Sequence, residues 1–93
     1  MTAYVVATLT VTDPDKMAAY RERAADALAR HGGEVLAAAP APHVLEGGPG
    51  PSAAAVIRFA DAQNARAWIS DPDLQGTHAL RTAAGQSTLL LIG

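Results

Sequence analysis

Residues 3–11 read Ala-Tyr-Val-Val-Ala-Thr-Leu-Thr-Val and pass straight into Thr12-Asp13-Pro14-Asp15, so a strand pattern becomes a helix start with no linker between. β-Branched residues with partial period-2 alternation mark the strand. A capping Thr or Asp, a proline in the first turn and acids near the positive end of the dipole mark the helix. The helix is expected from Pro14 to about Arg30, with Met17, Tyr20, Ala24, Ala27 and Leu28 as its buried stripe at i, i+3, i+4 spacing. His31-Gly32-Gly33 ends it, because glycine takes the left-handed C′ position without steric cost.

The remaining chain repeats this logic. Glu34 to Ala38 is a second strand, interrupted by Ala39-Pro40-Ala41-Pro42, since proline cannot donate to a ladder; His43-Val44-Leu45-Glu46 is placed as its resumption. Gly47-Gly48-Pro49-Gly50-Pro51 is a turn by composition. Ala53 to Phe59 is the third strand, and Asp61 caps a helix over Ala62–Ile69 with Ala65, Trp68 and Ile69 inward. Ser70-Asp71-Pro72 opens a further short helix reaching Ala83 or Ala84, Gly85 closes it, and Ser87–Ile92 is the last strand. The order β-α-β-β-α-β is the ferredoxin-like unit of the α+β class, a four-stranded antiparallel sheet with both helices on one face. At 93 residues the chain is a single domain, 1–93.

The other face of that sheet has nothing to cover it. Val5, Ala7, Leu9 and Val11 suit the helices, as do Ala55, Ile57 and Phe59; Tyr4, Val6, Thr8, Thr10, Ala54, Val56 and Arg58 are left on the open side. A patch that apolar, carrying a few polar groups, marks an interface or a ligand surface. A homodimer packed through this face is therefore expected, with a barrel-like interior able to hold a small organic molecule. A domain of this size also buries a modest fraction of its surface and gains from a partner.

Composition removes several function classes. Seven basic residues against nine acidic ones leave a net charge of −2, and Glu22 and Asp26 interleave with Arg21, Arg23 and Arg30, which argues against nucleic acid. The chain lacks cysteine, so disulfides and thiolate chemistry are excluded. No apolar run approaches the roughly 20 residues of a membrane helix, and the first residues do not read as a secretory signal, so no membrane association and a cytoplasmic location are expected. The three histidines, His31, His43 and His78, have no His-x-His, His-x₃-His or Glu-x-x-His spacing, so no metal site is expected.

Each residue that carries chemistry has a structural reading beside the functional one. Glu46, at the end of an apolar strand, suits a general acid or base with a raised pKa, or a carboxylate that accepts N–H bonds from the Gly47-Gly48 turn. His43 points to a pocket or to solvent; His31 is a histidine favourably placed in the dipole at a helix C-terminus. His78 and Arg81, three apart, share a helix face and suit a carboxylate or an oxyanion, but Arg81 equally suits a pair with Asp71 or Asp73. Tyr20 and Trp68 fill core volume or line a cavity.

Tyr4-Val5-Val6, Val11-Thr12-Asp13, Tyr20, His31-Gly32-Gly33, Leu45-Glu46-Gly47, Phe59, Ala67-Trp68, Arg81 and Gly93 together, in order and spacing, resemble the family catalogued as domain of unknown function 1330, within the dimeric α+β barrel superfamily. The resemblance spans the whole chain and implies the fold and the dimer. It also shows departures: Val35–Pro40 stands where members carry an aromatic and Arg-Gly-Gly, Arg58 replaces a common glutamate, and Ser70-Asp71-Pro72-Asp73-Leu74 replaces Ser-Pro-Glu-Tyr. The superfamily includes cofactor-independent oxygenases of electron-rich aromatic polyketides that use asparagine and tryptophan near the pocket, and Asn64-x-x-x-Trp68 has one-turn spacing. The leading expectation is a small-molecule enzyme of secondary metabolism without cofactor, doing proton-transfer chemistry as an isomerase, cyclase or lyase. Glu46, His43 and Arg58 form its catalytic set; Tyr4, Thr8, Tyr20, Trp68, His78 and Arg81 bind substrate. A cofactor-independent monooxygenase and a non-catalytic binding dimer are the alternatives.

Overall fold

The structure, a computed structural model, describes all 93 residues. In chain order the elements are β1 (Ala3–Val11), α1 (Pro14–Ala29), β2 (Glu34–Pro40), β3 (Ala53–Phe59), α2 (Ala62–Ser70), a 3₁₀ turn (Pro72–Leu74), α3 (Gln75–Ala84) and β4 (Gly85–Ile92). The four strands form one antiparallel sheet in the order β2-β3-β1-β4, so β2 and β4 are its edges.

Local chemistry accounts for the element ends. Asp13 and Asp61 each accept a backbone N–H three residues on, from Lys16 at 3.1 Å and Asn64 at 2.7 Å, satisfying donors that open a helix. Gly32 adopts φ +71°, and a Cβ on Gly33 would stand 2.8 Å from Leu28 and 2.9 Å from Phe59, so the pair reverses the chain and lets it pass close over the core just before β2. Residues 41–52 form a loop, which corrects the expectation that His43–Glu46 resumes β2. Pro40 ends the ladder opposite Ala53, Ala41 turns at φ +49°, and its N–H donates to Ser52 O at 2.6 Å, closing the loop at its base.

Cross-strand partners share a face of the sheet, so the register assigns both sides. Val5 pairs with Ile57 and Leu91, and Ala3 with Phe59, on the helix side; Val6 pairs with Val56 and Leu90, and Thr8 with Ala54 and Thr88, on the open side. The helix-side core joins Val5, Ile57 and Phe59 to Ala27 and Leu28 of α1, Ala65 and Trp68 of α2, and Leu74. A second cluster of Leu9, Met17 and Ala84, flanked by Val11 and Tyr20, lies toward the α1–α3 contact. No helix is long and apolar enough to cross a membrane.

Candidate functional site

Between the two apolar clusters stands a buried polar unit. Trp68 is 3 % exposed, His78 and Arg81 are each 6 % exposed. The Trp68 ring packs against Phe59 at 5.7 Å between centroids and takes the His78 imidazole edge-on at 5.0 Å. The Arg81 guanidinium lies over both Tyr20, at 5.6 Å, and Trp68, at 5.7 Å. A cation between two aromatic faces gains from their quadrupoles, and more so out of water.

The hydrogen bonds assign the histidine tautomer. His78 Nε2 meets the Trp68 carbonyl at 2.9 Å, which only accepts, so Nε2 carries the proton. Nδ1 is then the acceptor for an Arg81 Nη1–H at 2.9 Å. Burial, with the Arg81 charge adding to it, holds the His78 pKa below its ordinary value, although the Trp68 carbonyl works against that shift. Both imidazole nitrogens are engaged, so His78 aims Arg81 and has no lone pair left for a substrate proton. Arg81 Nε also donates to Ser87 Oγ at 3.3 Å. None of the four ion pairs includes Arg81, so the alternative of a pair with Asp71 or Asp73 is not realised.

Those two acids are taken elsewhere. Asp71 Oδ2 accepts from His31 Nε2 at 2.8 Å and faces Arg30 Nε at 3.4 Å, while Asp73 pairs with Arg30 at 2.8 Å. The His31 hydrogen bond, then the Asp73 N–H and the Arg30 charge, hold the Asp71 carboxyl below the usual carboxylate range. His31 thus does more than sit at a helix end: it clasps the end of α1 to the turn before α3.

The expected catalytic set is not brought together within one chain. Glu46 and His43 are exposed on the loop that leaves the Pro40/Ala53 end of the sheet. Arg58 lies five residues along β3 from Ala53, about 17 Å at strand rise, and is exposed and paired with Glu34. Glu46 is therefore not the buried carboxylate at a strand end that the sequence suggested. Tyr4 and Thr8 lie on the open face as expected, Tyr4 at 38 % exposure and Thr8 half-buried. Tyr20, Trp68, His78 and Arg81 are the members of the binding set that converge.

Two hollows flank the sheet. On the open face a shallow one of about 230 Å³ is lined by small aliphatics alone, Val6 and Val56 among alanines of β2 and β3, without Tyr4, Thr8 or Arg58. On the helix side a cleft of about 180 Å³ lies between α2 and the β4 edge, floored by Val5, Leu89 and Leu91 and walled by Ala65, Trp68 and Ile69. Arg66 is the one polar residue lining it. Ile69, expected in the core, is 39 % exposed and forms the lip of this cleft.

The sequence matches the profile of the family described as Domain of unknown function (DUF1330) over residues 2–93. The chain belongs to the DUF1330 family. No curated protein matches the sequence. Among solved structures, a protein of unknown function from Rhodopseudomonas palustris is similar to this DUF1330 chain with a TM-score of 0.78 and 18 % identity, over 98 % of this chain and 80 % of that one. A dimeric ferredoxin-like protein of unknown function from Jannaschia sp. CCS1 gives 0.73 and 15 %, over 100 % and 99 %. SnoaB, a cofactor-independent oxygenase from Streptomyces nogalater, gives 0.71 and 18 %, over 99 % and 91 %. At these identities the likeness establishes the ferredoxin-like fold.

Proposed function

We propose that this DUF1330 member is a homodimeric, cofactor-independent enzyme that acts on a small organic molecule through its anion, with the Arg81–Trp68 centre and the adjoining cleft as the working site. One observation carries this reading: a guanidinium 6 % exposed that forms no ion pair, held between two aromatic rings and hydrogen-bonded to His78. A buried charge is costly unless it is compensated, and a phenolate, enolate or carboxylate is the compensation this site lacks. Such a cation also lowers the pKa of a bound phenol or enol, favouring the anion.

A phenolate formed there can give an electron to O₂ directly. Recombination of the radical pair makes a carbon-bound hydroperoxide, and loss of water leaves a quinone, with O₂ as oxidant and the substrate as reductant. The similarity to SnoaB, named as a cofactor-independent oxygenase on the same fold, supports oxygenation as the reaction. The dimer is supported by the open face, where Leu90 and Ile92 are more than half exposed, and by the Jannaschia protein named as dimeric. Proton transfer is the second reading, supported by Glu46 and His43 standing exposed on a loop that a partner chain can place.

Oxygen uptake with hydroquinone-like aromatic probes tests the proposal. Wild type is expected to consume O₂ above the buffer rate, and Arg81→Gln to lose at least about tenfold of it while keeping its circular dichroism. Uptake that is absent across the probe panel, or unchanged in the variant, ends the oxygenase reading. Solvent deuterium exchange into substrate that Glu46→Gln abolishes would establish proton transfer instead.

A further inference from the structure

The helix-side cleft carries a second cation whose placement has a separate meaning. At about 100° per residue, Trp68, Ala65, Ile69 and Arg66 follow one another around α2, so the helix presents its ring to the core and its guanidinium to the cleft mouth. Arg66 is exposed and takes part in none of the four ion pairs. Everything beneath it is apolar: Val5, Leu89 and Leu91 below, Ala65, Trp68 and Ile69 beside. A cavity of about 180 Å³ is smaller than the roughly 300–1,000 Å³ that drug-sized ligands occupy, so it suits one aromatic ring or a short branched chain.

We propose that the cleft takes a small monocarboxylate, with its apolar body against Trp68 and Leu89 and its carboxylate gripped by Arg66 at the mouth. This deepens the proposed function by naming a substrate class, and it rests on the reading of the cleft as the small-molecule site. An apolar floor under one unpaired cation at the cleft mouth selects an amphipathic acid over a neutral hydrocarbon. The grip is a charge-assisted hydrogen bond, forked where guanidinium meets carboxylate. Because Arg66 is exposed, its contribution is modest and falls with salt.

The test uses the full chain and two probes, 3-phenylpropionate and its uncharged amide, read by the fluorescence of Trp68, the single tryptophan. The carboxylate is expected to bind roughly three- to tenfold more tightly than the amide, as one screened charge-assisted bond allows. Arg66→Gln should bring the carboxylate to the amide's affinity and leave the amide unchanged. At about 1 M salt, where screening acts within roughly 3 Å, the wild-type preference should shrink in the same direction. Equal binding of both probes to wild type, or a preference that survives in Arg66→Gln, overturns the carboxylate assignment while leaving the cleft as a site. Neither probe altering Trp68 emission overturns the assignment together with the cleft reading on which it rests.

Discussion

The two faces of the sheet are built from alternate residues of the same strands, yet they have opposite fates. On the helix side Val5, Ile57 and Phe59 are 6 % exposed or less, and every N–H or lone pair of His78 is used. On the open side Leu90 is 54 % and Ile92 55 % exposed, and the polar groups are Tyr4, the threonines Thr8, Thr10 and Thr88, Gln86 and the Arg58–Glu34 ion pair. Apolar content alone does not separate them. What differs is that helices α1–α3 cover one face, while nothing in the chain covers the other. The polar groups follow the same division. His78 and Arg81 on the helix side are buried and hydrogen-bonded, with the Trp68 indole N–H buried beside them without a partner. Arg58 and Glu34 on the open side are exposed. Fixed geometry is what a site for chemistry needs, and an uncovered aliphatic surface is what an assembly interface needs.

Emptying the helix side should have the largest effect. Trp68→Ala removes the ring that Phe59, His78 and Arg81 pack on, at about 3–5 kcal/mol for a buried aromatic. Against a total stability of roughly 5–15 kcal/mol, urea denaturation should show a large fall in midpoint. A charge on the open side should act differently. Leu90→Asp is expected to convert the dimer to monomer in light scattering while far-UV circular dichroism is retained, because its site touches no core residue of its own chain. A fall in helix content equal to that of Trp68→Ala would erase the distinction between the faces.

Acid should act on the helix side through His78. Its folded pKa lies below the unfolded value of about 6.5, so the unfolded chain binds more protons between the two. Stability is therefore complete above pH 6.5 and declines as pH falls from there toward the folded pKa. Asp71, also depressed, adds a second loss only below its ordinary 3.8. Thermal melts of His78→Gln should lose the upper part of this pH dependence and keep the lower. The smallest effect belongs to the open side: Arg58→Ala breaks an exposed ion pair and should cost less than about 1 kcal/mol by denaturant titration.

The fold was legible because local signals agreed with one another. Strand β1, both aspartate caps and the Gly32-Gly33 reversal coincide with their sequence patterns, and period-2 alternation assigned the faces of β1 and β3 correctly. The candidate site was legible only where its parts lie close in the chain, as with His78 and Arg81 one turn apart. The clasp of His31 on Asp71 spans 40 residues and joins through topology, which no periodicity records. Its consequence, that Arg81 is left without an acid, was hidden for the same reason. Val44-Leu45 reads as strand and so places Glu46 at a strand end, whereas Pro40 and the turn at Ala41 end the ladder before it. Helical spacing places Ile69 inward, but it sits between the core-facing Ala65 and the outward Arg66 and so borders a cleft.

Binding on the helix side and assembly on the open side are tested most directly by amide chemical-shift mapping of the protein during titration with a single-ring phenol or aryl carboxylate. Trp68 supplies one indole N–H resonance to follow. The account predicts that this resonance shifts together with the amides of Ala65, Leu89 and Leu91, while those of Val6, Ala37, Ala54 and Val56 stay in place. Shifts confined to those four open-face residues, with the Trp68 indole unmoved, would contradict it.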